Sequence, residues 1–129
     1  MSNVPDDLRY TNDHEYVQMT DDPEVVSIGV TDYAQGELGD VVFLNLPSPG
    51  DTFEAHQAFG TIEAVKAVAD LYAPIAGEVV EINGDLDTDP ALVNTDPYGA
   101  GWMIRLHVDN PSDLESLMSP GDYRAHIGE

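Results

Sequence analysis

Apolar and polar residues alternate along this chain in short runs with a two-residue period. Trp102, Ile104, Leu106 and Val108 take every second position and give one apolar face to a strand over 102–108. Short runs rich in β-branched and aromatic residues predict further strands over 16–19, Val25–Val30, 40–44 and 78–82. Two of these runs copy one another. Gly39-Asp-Val-Val-Phe-Leu-Asn45 recurs as Gly77-Glu-Val-Val-Glu-Ile-Asn83, and each copy is followed by a Gly-Asp pair, Gly50-Asp51 and Gly84-Asp85. Each reads as a strand entered from a glycine turn and left through an asparagine. Two such units in a small chain predict two halves related by pseudo-symmetry, as in a β-sandwich or barrel. Helical pattern is confined to Asp32–Leu38, capped by Thr31, to 112–117, and to Pro120–Ile127 behind the Ser119-Pro120 pair.

Residues 63–71 pull two ways. Glu, Ala, Lys and Leu dominate the stretch, and propensity alone predicts a helix. Against that, Ile62, Val65 and Val68 are β-branched, Pro74 breaks any helix soon after, and the stretch lies between the two repeated strand units. These three features modestly favour a β-hairpin over the helix, and a type I turn at Val65-Lys66 needs no glycine.

Charge changes the picture next. The chain has 129 residues, enough for one domain with an ordinary core, and carries 25 acidic residues against 4 Lys+Arg, a net charge of -21. Such a balance looks like that of a haloarchaeal protein. A hydrophobic fraction of 42% spread along the whole length argues for a folded chain rather than an acidic tail. With Arg9, Lys66, Arg105 and Arg124 as its only fixed cations, the chain has no basic patch for phosphates, which excludes nucleic acid and anionic membrane as partners. No apolar run approaches membrane-spanning length. The opening Met-Ser-Asn-Val-Pro-Asp-Asp lacks the apolar or arginine-rich character of a targeting segment, so the expected location is cytoplasmic. The absence of cysteine rules out disulfides and thiolate metal sites. His14, His56, His107 and His126 have no metal-ligand spacing, and Trp102 and Met103 read as core.

Lys66 is the one lysine, and a deprotonated primary amine on a four-carbon stem is a nucleophile on a flexible tether. Glu63-Ala-Val-Lys-Ala67, followed by Asp70 and Pro74-Ile-Ala-Gly-Glu78, resembles the lipoyl-attachment region of the glycine cleavage system H-protein family. Three more blocks match that family in order. They are Arg9-Tyr-Thr-Asn-Asp-His-Glu-Tyr-Val17, then Gly29-Val-Thr-Asp-Tyr-Ala-Gln35 with Leu38-Gly-Asp-Val-Val-Phe43, and last Leu92-Val-Asn-Thr-Asp-Pro-Tyr-Gly-Ala-Gly-Trp102. Tyr16 stands where the family has tryptophan, and Ala64 where serine is commoner.

The resemblance implies a mainly β barrel-sandwich hybrid, like the lipoyl and biotinyl carriers, with short helices near Asp32–Leu38 and at the C-terminus. Residues 1–129 would form a single lipoyl-carrier domain with N- and C-terminal extensions around the hairpin, and Lys66 would stand at the hairpin's tip. It implies lipoic acid amide-linked to Lys66 and a carrier rather than an enzyme. The partners would be glycine decarboxylase, a tetrahydrofolate-dependent aminomethyltransferase, dihydrolipoamide dehydrogenase and a lipoate-attaching enzyme. Glu63 and Asp70 would serve recognition by that last enzyme. Glu15 and Asp70 would line a cleft for the loaded arm, with Glu37 where some relatives have histidine. Competing assignments are a lipoate relay to 2-oxoacid dehydrogenases and an unmodified acidic interaction module. A biotinyl carrier would have methionine on both sides of the lysine, where this chain has Val65 and Ala67.

Overall fold

The computed structural model describes residues 3–128. Two antiparallel sheets carry the fold. The larger joins β1 (Arg9–Tyr10), β2 (Glu15–Met19), β3 (Val25–Val30), β9 (Ile104–Val108), β8 (Gly77–Ile82) and β5 (Thr52–Phe53), in that order. The smaller joins β4 (Val41–Asn45), β6 (Ala58–Ala64) and β7 (Val68–Tyr72). Around them lie α1 (Asp32–Leu38), α2 (Asp85–Thr88), α3 (Leu92–Thr95), a 3-10 turn at Pro111–Ser116, and α4 (Pro120–Ile127). This is the mainly β, two-layer architecture that the repeat anticipates.

Alternation decides what goes inside. Register pairs Ile28 with Ile104 and Val26 with Leu106, while Leu106 also faces Val79 across β8. These side chains meet Val41, Ile62 and Leu71 of the smaller sheet in one continuous core. Burying a residue of this size is worth roughly 1.5–3 kcal/mol, so alternation in a few strands suffices to fix the register. The two repeat copies fall one in each sheet, and each carries a bulge at its second valine. Pairing slips between Val41 and Phe43 in β4 and between Val79 and Glu81 in β8, which turns Val42 and Val80 out to solvent.

Residues 63–71 form a hairpin, and the helix that propensity favours does not appear. Tertiary context wins because alternation inserts Ile62 and Ala64 into the core while Glu63 stays outside. The last ladder bond runs from the Ala64 N–H to the Ala67 carbonyl at 2.8 Å. Gly60 permits β4 and β6 to close up, since a Cβ there would meet the Asn45 carbonyl oxygen. Met103 lies in the core as expected. Trp102 is only half-buried, and its ring carries the Arg105 guanidinium at 4.1 Å instead.

A second apolar cluster ties the ends of the chain together. Tyr10, Tyr16 and Tyr123 are fully buried there with Val4 and Leu8. Tyr16 fills the place of the family's tryptophan by lying over Gly29, where a Cβ would come within 2.8 Å of its ring. Its hydroxyl donates to the Pro97 carbonyl at 2.6 Å, the polar handle that a buried tyrosine requires.

Candidate functional site: a tethered amine beside an acidic cleft

Lys66 stands exposed at the hairpin tip. Two contacts fix the tip's position. The Val65 N–H donates to the Asp40 carbonyl at 2.9 Å. The lysine stem runs over Gly39, where a Cβ would lie 2.9 Å from Lys66 Cε. Gly39 has φ of 81 and caps α1, so the amine's root sits over the C-terminal end of that helix. Asn94 holds the same loop from below. Its side-chain oxygen accepts the Val41 N–H at 2.9 Å, and its amide donates to the Gly39 carbonyl at 2.8 Å and to Gln35 Oε1 at 3.0 Å. The Leu92–Trp102 block thus reaches the lysine indirectly, by supporting the loop on which its stem rests.

The end of α1 also forms one rim of a cleft of ≈ 350 Å³. Val30, Ile62 and Leu71 give it an apolar floor. Asp13, Glu15, Glu37 and Asp70 supply carboxyl groups, and His14 and Tyr33 supply rings. No lysine or arginine lines it. The sequence-predicted Glu15, Asp70 and Glu37 are therefore brought together. Glu63 is not among them: it stands exposed outside the cleft, paired with Val68 beside the tip.

Glu15 differs from the other acids. It opens β2, opposite Val30, and is 2% exposed. One carboxyl oxygen, Oε1, is buried without a hydrogen-bond partner. Burial raises the acid's pKa to about 9, Asp13 adds to the rise, and the Tyr72 backbone N–H partly offsets it. At neutral pH Glu15 is accordingly a protonated acid in the cleft wall. An approaching cation would change that, because an opposite charge within a few ångströms favours the carboxylate.

His14 precedes it with φ of 70, a left-handed conformation that aims its imidazole at the cleft side. Sequence spacing dismisses this histidine as a metal ligand and gives no hint of its place in the wall. Tyr33, Asn94 and Tyr123 are missed for the same reason, since each reaches the site from a different segment. The exposed Val42, Phe43, Val65 and Val68 make the tip and its neighbouring strand apolar, an unusual patch on so acidic a surface. Among the described residues no group of three or more potential ligands could hold a metal ion, and no helix is long and apolar enough to cross a membrane.

Known proteins share both sequence and fold with this chain. The sequence family described as Glycine cleavage H-protein matches residues 8–129. The glycine cleavage system H protein of Chlorobaculum parvum is 57% identical over 127 residues, covering 98% of this chain and 99% of its own. That of Carboxydothermus hydrogenoformans is 48% identical over 129 residues, covering 100% and 98%. The crystal structure of a glycine cleavage system H protein from Mycobacterium marinum superposes with a TM-score of 0.86 at 36% identity, covering 98% of this chain and 100% of that one. With a lone tethered amine over an acidic cleft, in this fold and at this similarity along its length, the chain belongs to the glycine cleavage H-protein family.

Proposed function

We propose that Lys66 bears lipoic acid in amide linkage and that the cleft below it shelters the loaded arm. As a member of its family the chain is a carrier within the glycine cleavage system, not a catalyst. The arm would take an aminomethyl group from glycine decarboxylase, yield it to the tetrahydrofolate-dependent aminomethyltransferase, and return its dithiol to dihydrolipoamide dehydrogenase. Residues 1–129 act as one lipoyl-carrier domain. The observation that carries this is the pairing of one exposed amine with one buried acid that has an unpartnered oxygen, their elements joined through α1.

Lipoate would supply the dithiolane that accepts the aminomethyl group and two electrons, the partner enzymes would supply the catalysis, and this chain would tether, present and shelter the arm. The hairpin presents the amine at an exposed tip, so its arm has a high effective concentration at whichever partner is docked. Val30, Ile62 and Leu71 offer an apolar bed for a hydrocarbon arm. Glu15, joined by Asp70, Asp13 and Glu37, matches a cationic amine at the arm's end. Glu15 gains an ion partner for its unpaired oxygen as it gives up its proton. The apolar floor of Val30, Ile62 and Leu71, with Glu15 buried beside it, would shield the amine-bearing carbon on one side from water. Around Lys66, the apolar tip with Glu63 at its edge suits enzymes that must cover the lysine, the lipoate-attaching enzyme among them.

The direct test is peptide mass spectrometry of protein purified from its native cells. A lipoyl increment on the peptide containing Lys66 is expected. A biotinyl increment, or an unmodified lysine in cells with active lipoate metabolism, refutes the proposal.

A further inference from the structure

The cleft wall is wired to the C-terminal helix. Tyr123 on α4 is fully buried and stacks on Tyr10, with centroids 4.7 Å apart and planes 11° apart. Its hydroxyl lies 2.7 Å from Thr31 Oγ1 and 2.9 Å from His14 Nδ1. The direction of this chain can be worked out by counting protons. Thr31 is buried, and its Oγ1 already accepts the Ala34 N–H at 3.2 Å as the cap of α1. Its hydroxyl proton therefore needs an acceptor, and among the described residues Tyr123 is the partner within reach. Thr31 donates to the Tyr123 oxygen, which leaves the Tyr123 proton for His14 Nδ1. That nitrogen must then be bare, and His14 is the neutral Nε2–H tautomer. Protonating Nδ1 would turn the Tyr123 proton back onto Thr31 and strand one buried donor.

The other groups facing His14 do not overturn this. Burial and the nearby His126, its ring 5.6 Å away, push the imidazole below its ordinary pKa. Asp13 and Glu37 pull the other way. Tyr33 and Tyr123 complete its ring contacts, with centroids at 5.1 and 5.8 Å. Glu15 follows it directly in the chain.

We propose that Tyr123 is a positioning residue of the arm cleft. Its hydrogen bond to His14 Nδ1 keeps that imidazole uncharged, so no second cation competes for the cleft's carboxylates, Asp13 and Glu37 foremost, when the amine of the loaded arm docks. This rests on the cleft assignment of the preceding subsection. It commits the C-terminal helix, remote in sequence from Lys66, to the lifetime of the loaded arm.

The test is Tyr123→Phe, which keeps the stack on Tyr10 and removes only the hydroxyl. In the unlipoylated protein, nitrogen NMR should show His14 as the Nε2–H tautomer in the natural chain and a mixture of tautomers in the variant, with its protonation midpoint raised. In the lipoylated, aminomethyl-loaded protein, the variant should lose the group roughly twofold to fourfold faster at about pH 6, the most that protonation of an ordinary histidine can cause there. The two proteins should converge near pH 8, where an ordinary histidine is neutral anyway. A loss uniform across pH would make Tyr123 a merely structural residue. An unchanged tautomer, or an unchanged lifetime while Glu15→Gln shortens it, overturns the proposal and leaves the cleft standing. If the natural chain protects its loaded arm no better than free aminomethylated lipoamide, the cleft assignment falls and Tyr123's role with it.

Discussion

Replacing Glu15 by glutamine should make this protein more stable and worse at its task. The carboxyl of Glu15 has an ordinary pKa of 4.5 and is raised by burial to about 9 in the fold. A group whose folded value is raised contributes its full share of stability below pH 4.5 and loses it progressively as pH climbs toward 9. At pH 7 the unfolded chain has released this proton and folding must restore it. At about 1.4 kcal/mol per pH unit the cost is about 3 kcal/mol. Glutamine has no proton to restore. Its amide does bring donors into a site where Oε1 has no partner, which offsets part of the gain. Glu15→Gln should therefore stabilise the fold by about 1–3 kcal/mol at pH 7, a rise of roughly 3–10 °C in unfolding midpoint for a chain of this size.

The pH dependence is the sharper readout, and urea titrations at pH 7, 7.75 and 8.5 on unlipoylated protein would measure it. Histidines contribute little slope over that interval. The natural chain should lose about 2 kcal/mol more than the variant across it. Parallel curves would mean that Glu15 is ionised in the fold and solvated, and that the cleft wall contains no protonated acid. The loaded arm of the variant should lose its aminomethyl group faster, because a neutral amide cannot become a carboxylate when a cation arrives.

Other outcomes follow from neighbouring residues. Lys66→Arg should leave the unfolding free energy within about 0.5 kcal/mol of the natural chain, as expected at an exposed position. It should abolish glycine cleavage in a reconstituted assay, because a guanidinium forms no lipoyl amide. Asp70→Asn should shorten the loaded arm's lifetime by roughly threefold to fivefold, less than Glu15→Gln, since Asp70 is exposed and water screens it; an unchanged lifetime returns it to the solvated surface. Gly60→Ala should destabilise by about 2–3 kcal/mol in denaturant titration, because its Cβ would enter the Asn45 carbonyl and neither strand can yield alone. With a net charge of -21, the protein should unfold at a higher temperature in molar KCl than in dilute buffer; the Debye length falls from about 10 Å at 0.1 M to about 3 Å at 1 M, and equal midpoints would refute self-repulsion as a destabilising term.

Element positions were legible where alternation was strict, as over Ile104–Val108, where β-branched residues cluster, or where a cap marks a helix start. Val25–Val30 and Asp32–Leu38 lie where the pattern puts them, and Pro120–Ile127 starts at the predicted Ser119 cap. The hairpin at 63–71 needed more than local preference, since its support comes from β4, a strand twenty residues upstream in the small sheet. Two-residue strands such as β1 and β5, and the single turns α2 and α3, carry too few residues for any period to register. The repeat was visible, but not that its second valine would be extruded at a bulge in both copies. That extrusion shows only in the pairing with the neighbouring strand, β6 for Val42 and β9 for Val80.

The site divides along the same line. Lys66 is conspicuous because it is the one lysine in the chain, so a scarce residue type marks its own position. Glu15 is marked by the family resemblance alone, and composition hides it by the opposite circumstance. In a sequence with 25 acids, one more carboxylate says nothing, and neither charge nor spacing separates Glu15 from Asp13 beside it. What separates them is burial: among the described residues Glu15 is the one Asp or Glu in the interior. That burial is assembled by β3 from the next strand, Leu71 from the hairpin and the Thr31–Tyr123–His14 chain from the far end of the molecule. Acids scattered over a surface keep a chain soluble and repel one another through screened solvent. A single acid withdrawn from that solvent becomes a protonated group with one oxygen unpartnered, which opposes folding at neutral pH and welcomes a cation. In so negative a chain, chemistry is therefore to be sought at the acid the fold has taken out of water.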